Sequence, residues 1–448
     1  MKRAVMIALL ALLALALAGC GGGRRAADEA VPTAVPEAAV TAVPEEAGAA
    51  QAVETDQPAG EVPASDAEGV DALTGDAAVQ LLAVNVGKGD ALVLRVGEYL
   101  CLIDTGKPWA LGRVSQALEL MSAGGEPRLD AVFITHTDDD HTGGLTWLAG
   151  GGGEMPQIGV ENWCASAMYT GVKAEKHPVA KAAAAVGAEV RWLRRGDEIP
   201  LGDTGAVLKV LAPASLYKDK DDNNSLVMLL ESAEGRMLFT GDMELPEEAE
   251  LLGYGDDLSC AVLKVPNHGD DDTTSEALAR AAGAQLALIS TDSQEKPGTP
   301  DPGVVSRLEA AGSRVVVTQD SSLGLLVTLS GGVASVQDVP FGAPAVSGVY
   351  IAEVDASDDR IVLGSSAAEA VDLAGCYLCS DRGNELYAFP SQGAVLEPGA
   401  YLAVGTNSTD GDFDLLWDDK KVVNKKKTDV FSLYDSWGRL LDRRDNGL

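Results

Sequence analysis

The sequence predicts an α/β domain of two β-sheets with helices on their outer faces, followed by an all-β sandwich. Three observations carry this. A meander of β-rich runs comes first, between Val79 and Asp104. Strand and helix patterns then alternate from Ala261 to Thr318, as in βα units. From Gly348 the chain changes to short β runs divided by turn signals. A chain of 448 residues accommodates two or three such domains.

The N-terminus reads as a targeting segment. Met1-Lys2-Arg3 supplies positive charge, and the apolar run from Ala4 to Ala18 is shorter than the roughly 20 residues a membrane span needs. Leu17-Ala-Gly-Cys20 resembles a bacterial lipobox. The expectation is cleavage before Cys20, lipidation of its thiol, and an exported lipoprotein held at the cell envelope, facing outside the cytoplasm. Its membrane partner is then reached through that anchor. Residues 21–76 are rich in Ala, Pro and Glu, with Ala-Val-Pro at 30–32, 34–36 and 42–44 and no apolar period. Such a composition does not offset its ordering entropy, so this stretch is expected to be a disordered linker.

Residues 77–340 form the predicted first domain. Val79–Val86, Ala91–Val96 and Tyr99–Asp104 are β runs broken by glycine, and Trp109–Ser122 has helical apolar spacing. Leu129–Thr135 is a strand and Lys173–Ala188 an Ala-rich helix. Strands follow at 206–211, 225–230, 237–240 and 261–265, with a helix near 246–252. Helices at 275–282 and 303–311 then alternate with strands at 286–290 and 314–318.

Charge and cysteine content narrow the function classes. With 34 basic and 68 acidic residues, the net charge of −34 argues against a broad nucleic-acid surface, though not against a metal-centred phosphate site. Of six cysteines, five remain if Cys20 is lipidated; an odd, scattered set reads as buried structural thiols rather than a disulfide framework.

The chemistry concentrates in His136-Thr-Asp138-Asp-Asp140-His141, which directly follows the 129–135 strand. Two of the chain's four histidines sit here among carboxylates, a donor set that suits zinc, manganese or iron(II). His177, before Pro178 and outside any motif, reads as a surface residue.

This segment resembles the first metal motif of the metallo-β-lactamase fold hydrolases, in the form found in the soluble domain of the ComEC DNA-uptake proteins. Asn85-Val-Gly-Lys-Gly-Asp90, Leu102-Ile-Asp-Thr-Gly106, Asp222-Asn-Asn-Ser-Leu-Val227, Phe239-Thr-Gly-Asp242 and Leu263-Lys-Val-Pro-Asn-His-Gly269 resemble further motifs of that branch, in the same order. The resemblance implies a four-layer αββα sandwich and one or two divalent ions, zinc or manganese. It places His136 and Asp138 on one ion, Asp140, His141 and His268 on the other, and Asp242 between them. Asp140 and Asp242 would then be the catalytic carboxylates around a hydroxide shared by the ions, and Asp104 would orient a ligand imidazole.

The chain departs from the pattern in places. Asn267 and Thr299 stand where histidines are common, and no histidine lies between His177 and His268. Asn223 or Asn224 is the candidate stand-in for the missing ligand, which would leave the first ion loosely held.

Residues 346–448 resemble the lamin-tail domain, an immunoglobulin-like sandwich. The likeness rests on Val371-Asp-Leu-Ala-Gly-Cys-Tyr-Leu378, Tyr387-Ala-Phe-Pro390 and Leu396-Glu-Pro-Gly-Ala-Tyr-Leu402. Lys420, Lys421 and Lys425–Lys427 form the basic cluster, read as a solvated loop that could also touch phosphate or an anionic wall polymer. The leading expectation is an envelope-anchored phosphodiesterase or nuclease acting on extracellular nucleic acid. The alternatives are a phosphoesterase on a wall or lipid headgroup, and a degenerate, non-catalytic binding module.

Overall fold

Eight strands make the first sheet, in the spatial order Val333–Val339, Gly324–Ser330, Val79–Val84, Leu92–Val96, Tyr99–Ile103, Arg128–Ile134, Gly159–Ser166 and Val190–Leu193. Seven make the second: Arg314–Val317, Leu286–Ile289, Val262–Lys264, Gly235–Phe239, Val227–Ser232, Val207–Ala212 and Glu198–Pro200. The computed structural model describes residues 79–122, 127–151, 158–171, 173–342 and 346–448. Residues 1–78, and with them the expected targeting segment, Cys20 and the expected linker, lie outside the described residues. Among the described residues, no helix is long and apolar enough to cross a membrane.

The strand period of two sorts the side chains into layers. Leu81 and Ala83 face the second sheet, in a core shared with Leu208, Met228, Met237 and Phe239. Their neighbours Leu82 and Val84 face outward, against Val114, Leu118 and Met121 of the helix Leu111–Met121. On the far side of the second sheet, Leu263, Ala287 and Ile289 pack on Leu251, Leu278, Val304 and Leu308 of the helices Leu245–Tyr254, Glu276–Ala282 and Pro302–Ala310. The order is helix, sheet, sheet, helix, the αββα arrangement. Central strands are buried on both faces, which is why the stretch 81–84 reads as continuously apolar rather than alternating.

Helix ends follow local rules. Ser275 caps Glu276–Ala282 by accepting from Ala277 N and Leu278 N, and Asp301 caps Pro302–Ala310 through Gly303 N and Val304 N. The helix expected over 173–188 is shorter. A 3₁₀ turn at Ala174–Lys176 precedes a helix that starts at Pro178, whose ring suits the first helical position but not the interior. His177 is not on the surface. It is 2% exposed, with ring centroids 4.6 Å from Tyr169 and 4.9 Å from Trp192.

After residue 346 the fold is all-β. Two four-stranded sheets, Val349–Asp355/Arg360–Ser365/Tyr401–Thr406/Leu415–Trp417 and Leu386–Ala388/Tyr377–Ser380/Val430–Tyr434/Leu440–Asp445, enclose Ile351, Leu363, Phe389 and Phe431, as in an immunoglobulin-like domain. This region packs on the helix Leu111–Met121: Tyr377, Cys379 and Tyr434 share its apolar cluster. Tyr377 Oη donates to Trp109 O at 2.7 Å, and Tyr434 stacks on Trp109 at 5.7 Å. The five described cysteines are buried and free, as structural thiols should be.

Candidate metal centre

Four strand ends meet at one point. Ile103 and Phe133 are paired in parallel register, so the chain turns out of the first sheet at Asp104 and at Thr135–His136 side by side. Asp242 follows Gly235–Phe239, and His268 follows the adjacent parallel strand Val262–Lys264. Gly241 has φ +52, and a Cβ there would lie 2.9 Å from Ser225 and 3.0 Å from Thr135, so the loops close only around glycine.

The hydrogen bonds fix which way each imidazole points. Asp104, buried and acceptor-only as a carboxylate, receives Thr135 N at 2.8 Å and Thr135 Oγ1 at 2.7 Å. It also receives His141 Nδ1 at 2.8 Å. The Thr135 hydroxyl has then used its proton, so it accepts from His136 Nδ1 at 3.1 Å. His268 Nδ1 donates to Ser290 O at 2.8 Å, since a carbonyl can only accept. Every Nδ1 therefore carries its proton outward, which leaves Nε2 as the inward, ligand-capable nitrogen of each ring.

The inward atoms converge on Asp242. Its Oδ2 lies 3.0 Å from His268 Nε2, 3.3 Å from His141 Nε2 and 3.9 Å from His136 Nε2. The Nε2 atoms of His141 and His268 are 3.3 Å apart. Asp140 Oδ2 is 3.6 Å from His268 Nε2. His136 Nε2, Asp242 Oδ1 and Asp90 Oδ1 are buried without a hydrogen-bond partner among the described residues. Facing lone pairs and orphaned oxygens at this spacing are destabilising unless positive charge sits among them.

The electrostatics favour such a charge. Burial works against a protonated His141, yet Asp242 and Asp104 outweigh it and hold the imidazole well above its ordinary range. Burial likewise opposes ionised Asp242, but His141 and His268 hold its carboxyl well below the usual range. Asp140 is brought down to about 2 against burial by the same two histidines. His136, His141 and Asp242 could hold one ion, and Asp140, His141 and His268 another.

Residues 84–292 match the Metallo-beta-lactamase superfamily. This part of the chain has the metallo-β-lactamase fold. ComE operon protein 3 of Bacillus subtilis (strain 168) is 26% identical over 254 residues, covering 53% of this chain and 31% of that protein. Competence protein ComA of Neisseria gonorrhoeae is 26% identical over 235 residues, 52% of this chain and 30% of that protein. The chain thus spans about a third of the length of these relatives. The metallo-β-lactamase fold protein YhfI from Bacillus subtilis aligns over 56% of this chain and 99% of its own, at 14% identity and a TM-score of 0.37.

Within the metallo-β-lactamase domain the remaining candidates divide. Asp138 lies at the rim, its side chain 53% exposed and its Oδ2 4.0 Å from His136 Nε2. Asp222 stands with that pair and could complete a three-donor set. Asn267 is buried in the left-handed turn beside His268, with φ 39. Asn223 and Asn224, expected as stand-in ligands, are occupied elsewhere. Asn224 accepts from Tyr217 N at 2.9 Å and donates to Tyr217 O at 2.9 Å. Asn223 accepts from Glu244 N and Glu247 N and donates to Glu244 Oε2 at 2.8 Å. Both carboxamides clamp their loop to its surroundings through these bonds.

Asp222, Asp90 and Lys88 lie inside the sequence motifs, but no role was expected of them. Asp90 pairs with Lys264 at 2.7 Å, both 1% exposed, behind His268. Lys88 Nζ lies 3.1 Å from Asp140 Oδ2. The lysines 420, 421 and 425–427 are exposed, and their loop is tied down by Asp359, which accepts from Val422 N and Val423 N.

Proposed function

We propose that this protein is a metal-dependent hydrolase that cleaves phosphodiesters, most simply nucleic acid outside the cell. One observation carries the reading: three inward Nε2 atoms and the Asp242 carboxylate converge, with every outward nitrogen already tied. His136, Asp138 and Asp222 would hold one divalent ion, zinc or manganese, with Asp242 shared. Asp140, His141 and His268 would hold the other. When bound, such ions supply Lewis-acid charge and an activated water at neutral pH.

The protein's own residues do the rest. Asp104, Thr135 and the Ser290 carbonyl keep the imidazoles in the tautomer that presents Nε2. Against burial, positive charge at the His141 and His268 positions holds Asp140 and Asp242 below the usual carboxylate range. The buried Asp90–Lys264 pair braces the loop behind His268. The resemblance to the ComEC hydrolase domain supports phosphodiester chemistry, and the lipobox at Leu17–Cys20 supports an envelope lipoprotein held through Cys20. The sequence likeness of residues 346–448 to lamin-tail domains supports a module that accompanies secreted hydrolases.

The test is hydrolysis of a generic phosphodiester, single-stranded DNA and a phosphocholine ester side by side. Activity should rise with added Mn²⁺ or Zn²⁺ and vanish on chelation. Turnover that survives exhaustive chelation would rule the reading out. Bound metal with hydrolysis confined to the phosphocholine ester would move the substrate to a headgroup.

A further inference from the structure

We propose that Lys88 is a specificity-determining residue that gives the metal centre an anion-binding subsite, selecting substrates that carry a charged phosphoryl oxygen. The proposal rests on the reading of this centre as a metallohydrolase and adds the group that recognises the substrate.

The loop around Lys88 is held on both sides. Gly87 has φ +76, and a Cβ there would meet Glu295 Oε1 at 2.4 Å. A Cβ on Gly89 would meet the Asp140 carbonyl oxygen at 2.6 Å. Lys88 N donates to Glu295 Oε2 at 3.0 Å, and Asp90 N donates to Asp140 O at 3.2 Å. The backbone is thus threaded between the rim carboxylate and the metal loop, and the Lys88 side chain starts from a fixed point.

Its side chain stays partly open to solvent where it meets Asp140. Lys88 and Asp140 side chains are 21% and 18% exposed, and their atoms are 3.1 Å apart. The same Asp140 oxygen is 3.6 Å from His268 Nε2. A divalent ion taken up by Asp140 therefore competes with Lys88 for that oxygen. The ammonium, tethered by its loop, is left beside the ion with donors to spare. Among the described residues, three other lysines nearby are paired: Lys264, 1% exposed, with Asp90 and Val265 O, Lys107 with Glu295, and Lys220, on the Asp222 side of the centre, with Glu244, Asp222 and Asp272.

A phosphodiester brings a full negative charge on its non-bridging oxygens, while a neutral ester or amide brings none. A point-charge ammonium at the mouth favours the first and gives the second nothing. This supplies local positive charge in a chain whose net charge of −34 would repel polyanions at longer range.

The experiment uses the full chain loaded with Zn²⁺ or Mn²⁺, comparing wild type, Lys88→Gln and Lys88→Arg. Inorganic phosphate binding is measured by calorimetry, metal content by elemental analysis, and kcat and KM with bis(para-nitrophenyl) phosphate. Lys88→Gln should weaken phosphate binding about tenfold to a hundredfold, the worth of one charge-assisted hydrogen bond. It should raise KM more than it lowers kcat and leave metal content unchanged, and Lys88→Arg should recover most of the binding. Phosphate binding equal to wild type in Lys88→Gln would overturn the proposal, as would loss of metal from that variant. If wild type hydrolyses no phosphodiester while Lys88→Gln still loses phosphate affinity, the subsite stands and the phosphodiesterase reading falls.

Discussion

The candidate metal centre and the seam between the two domains both bury polar atoms, and they treat them in opposite ways. At the seam Tyr377 is 0% exposed, and its hydroxyl both donates to Trp109 O and accepts from Gly112 N. Arg113 donates to Asn85 O and Gly438 O and lies over the rings of Trp109 and Phe341. At the centre, His136 Nε2 and Asp242 Oδ1 have no partner among the described residues. A buried polar atom left unpaired costs roughly 1–3 kcal/mol, so a cluster of them persists only because the surrounding bonds over-determine it. Burial alone therefore does not mark function. Convergent, unsatisfied lone pairs do. Glu247 shows the limit of the rule: its carboxyl is buried and unpaired but belongs to no converging cluster, and burial, then Glu250, push its pKa well above the usual range.

Removing the seam's central ring should have the largest effect and should spare the centre. Tyr377→Ala is expected to cost about 3–5 kcal/mol, as for other large aromatic truncations. Denaturant unfolding would show it, with metal affinity unchanged. A loss of metal in that variant would tie the two regions together and break the contrast.

Asp104→Ala attacks the centre without touching an inward atom. It should lower metal affinity about 10- to 100-fold, the usual cost of losing a group that orients a ligand histidine. Competition with a chelator of known affinity would measure it.

His177 sharpens the comparison from outside both regions. Burial brings its pKa down to about 4 from the ordinary 6.5. The unfolded chain then binds a proton that the native state refuses, so stability falls as pH drops from about 6.5 toward 4. His177→Phe should remove this part of the pH dependence, on the order of 2 kcal/mol. Matched unfolding curves at the two ends of that window would reveal it.

The smallest effect is expected at Asn224. As a loop clamp, Asn224→His should cost about 1 kcal/mol or more through lost backbone hydrogen bonds and should not tighten metal binding. Tighter metal in that variant would restore Asn224 as a stand-in ligand.

Much of this was legible in the chain, because local patterns dictate it. The run of strand, His136–His141 and glycine announced the centre, and the alternation after Ala261 announced the second sheet. What stayed hidden depends on distant pairing. Gly324–Ser330 and Val333–Val339 close the first sheet against Val79–Val84, some 240 positions upstream, and the intervening sequence gives no sign of it. Gly159–Ser166 carries Glu161 and Asn162 and lacks a clear strand period. The direction of a loop side chain is equally non-local. Asn224 turns toward Tyr217 and Asp222 toward His136, although only one residue separates them. His177 is buried because Tyr169 and Trp192 come together around it, which neither flank of its own sequence shows.

The central claim is that the converging histidines and Asp242 form a metal site. Elemental analysis of the purified chain, wild type against Asp242→Ala, tests it most directly. Wild type should retain at least one equivalent of a divalent transition metal through dialysis, with a second recovered on addition. Asp242→Ala should retain neither, because the carboxylate that all three Nε2 atoms face is gone. Metal-free wild type that takes up no ion at saturating Zn²⁺ or Mn²⁺, or an Asp242→Ala protein that binds as tightly, would contradict it.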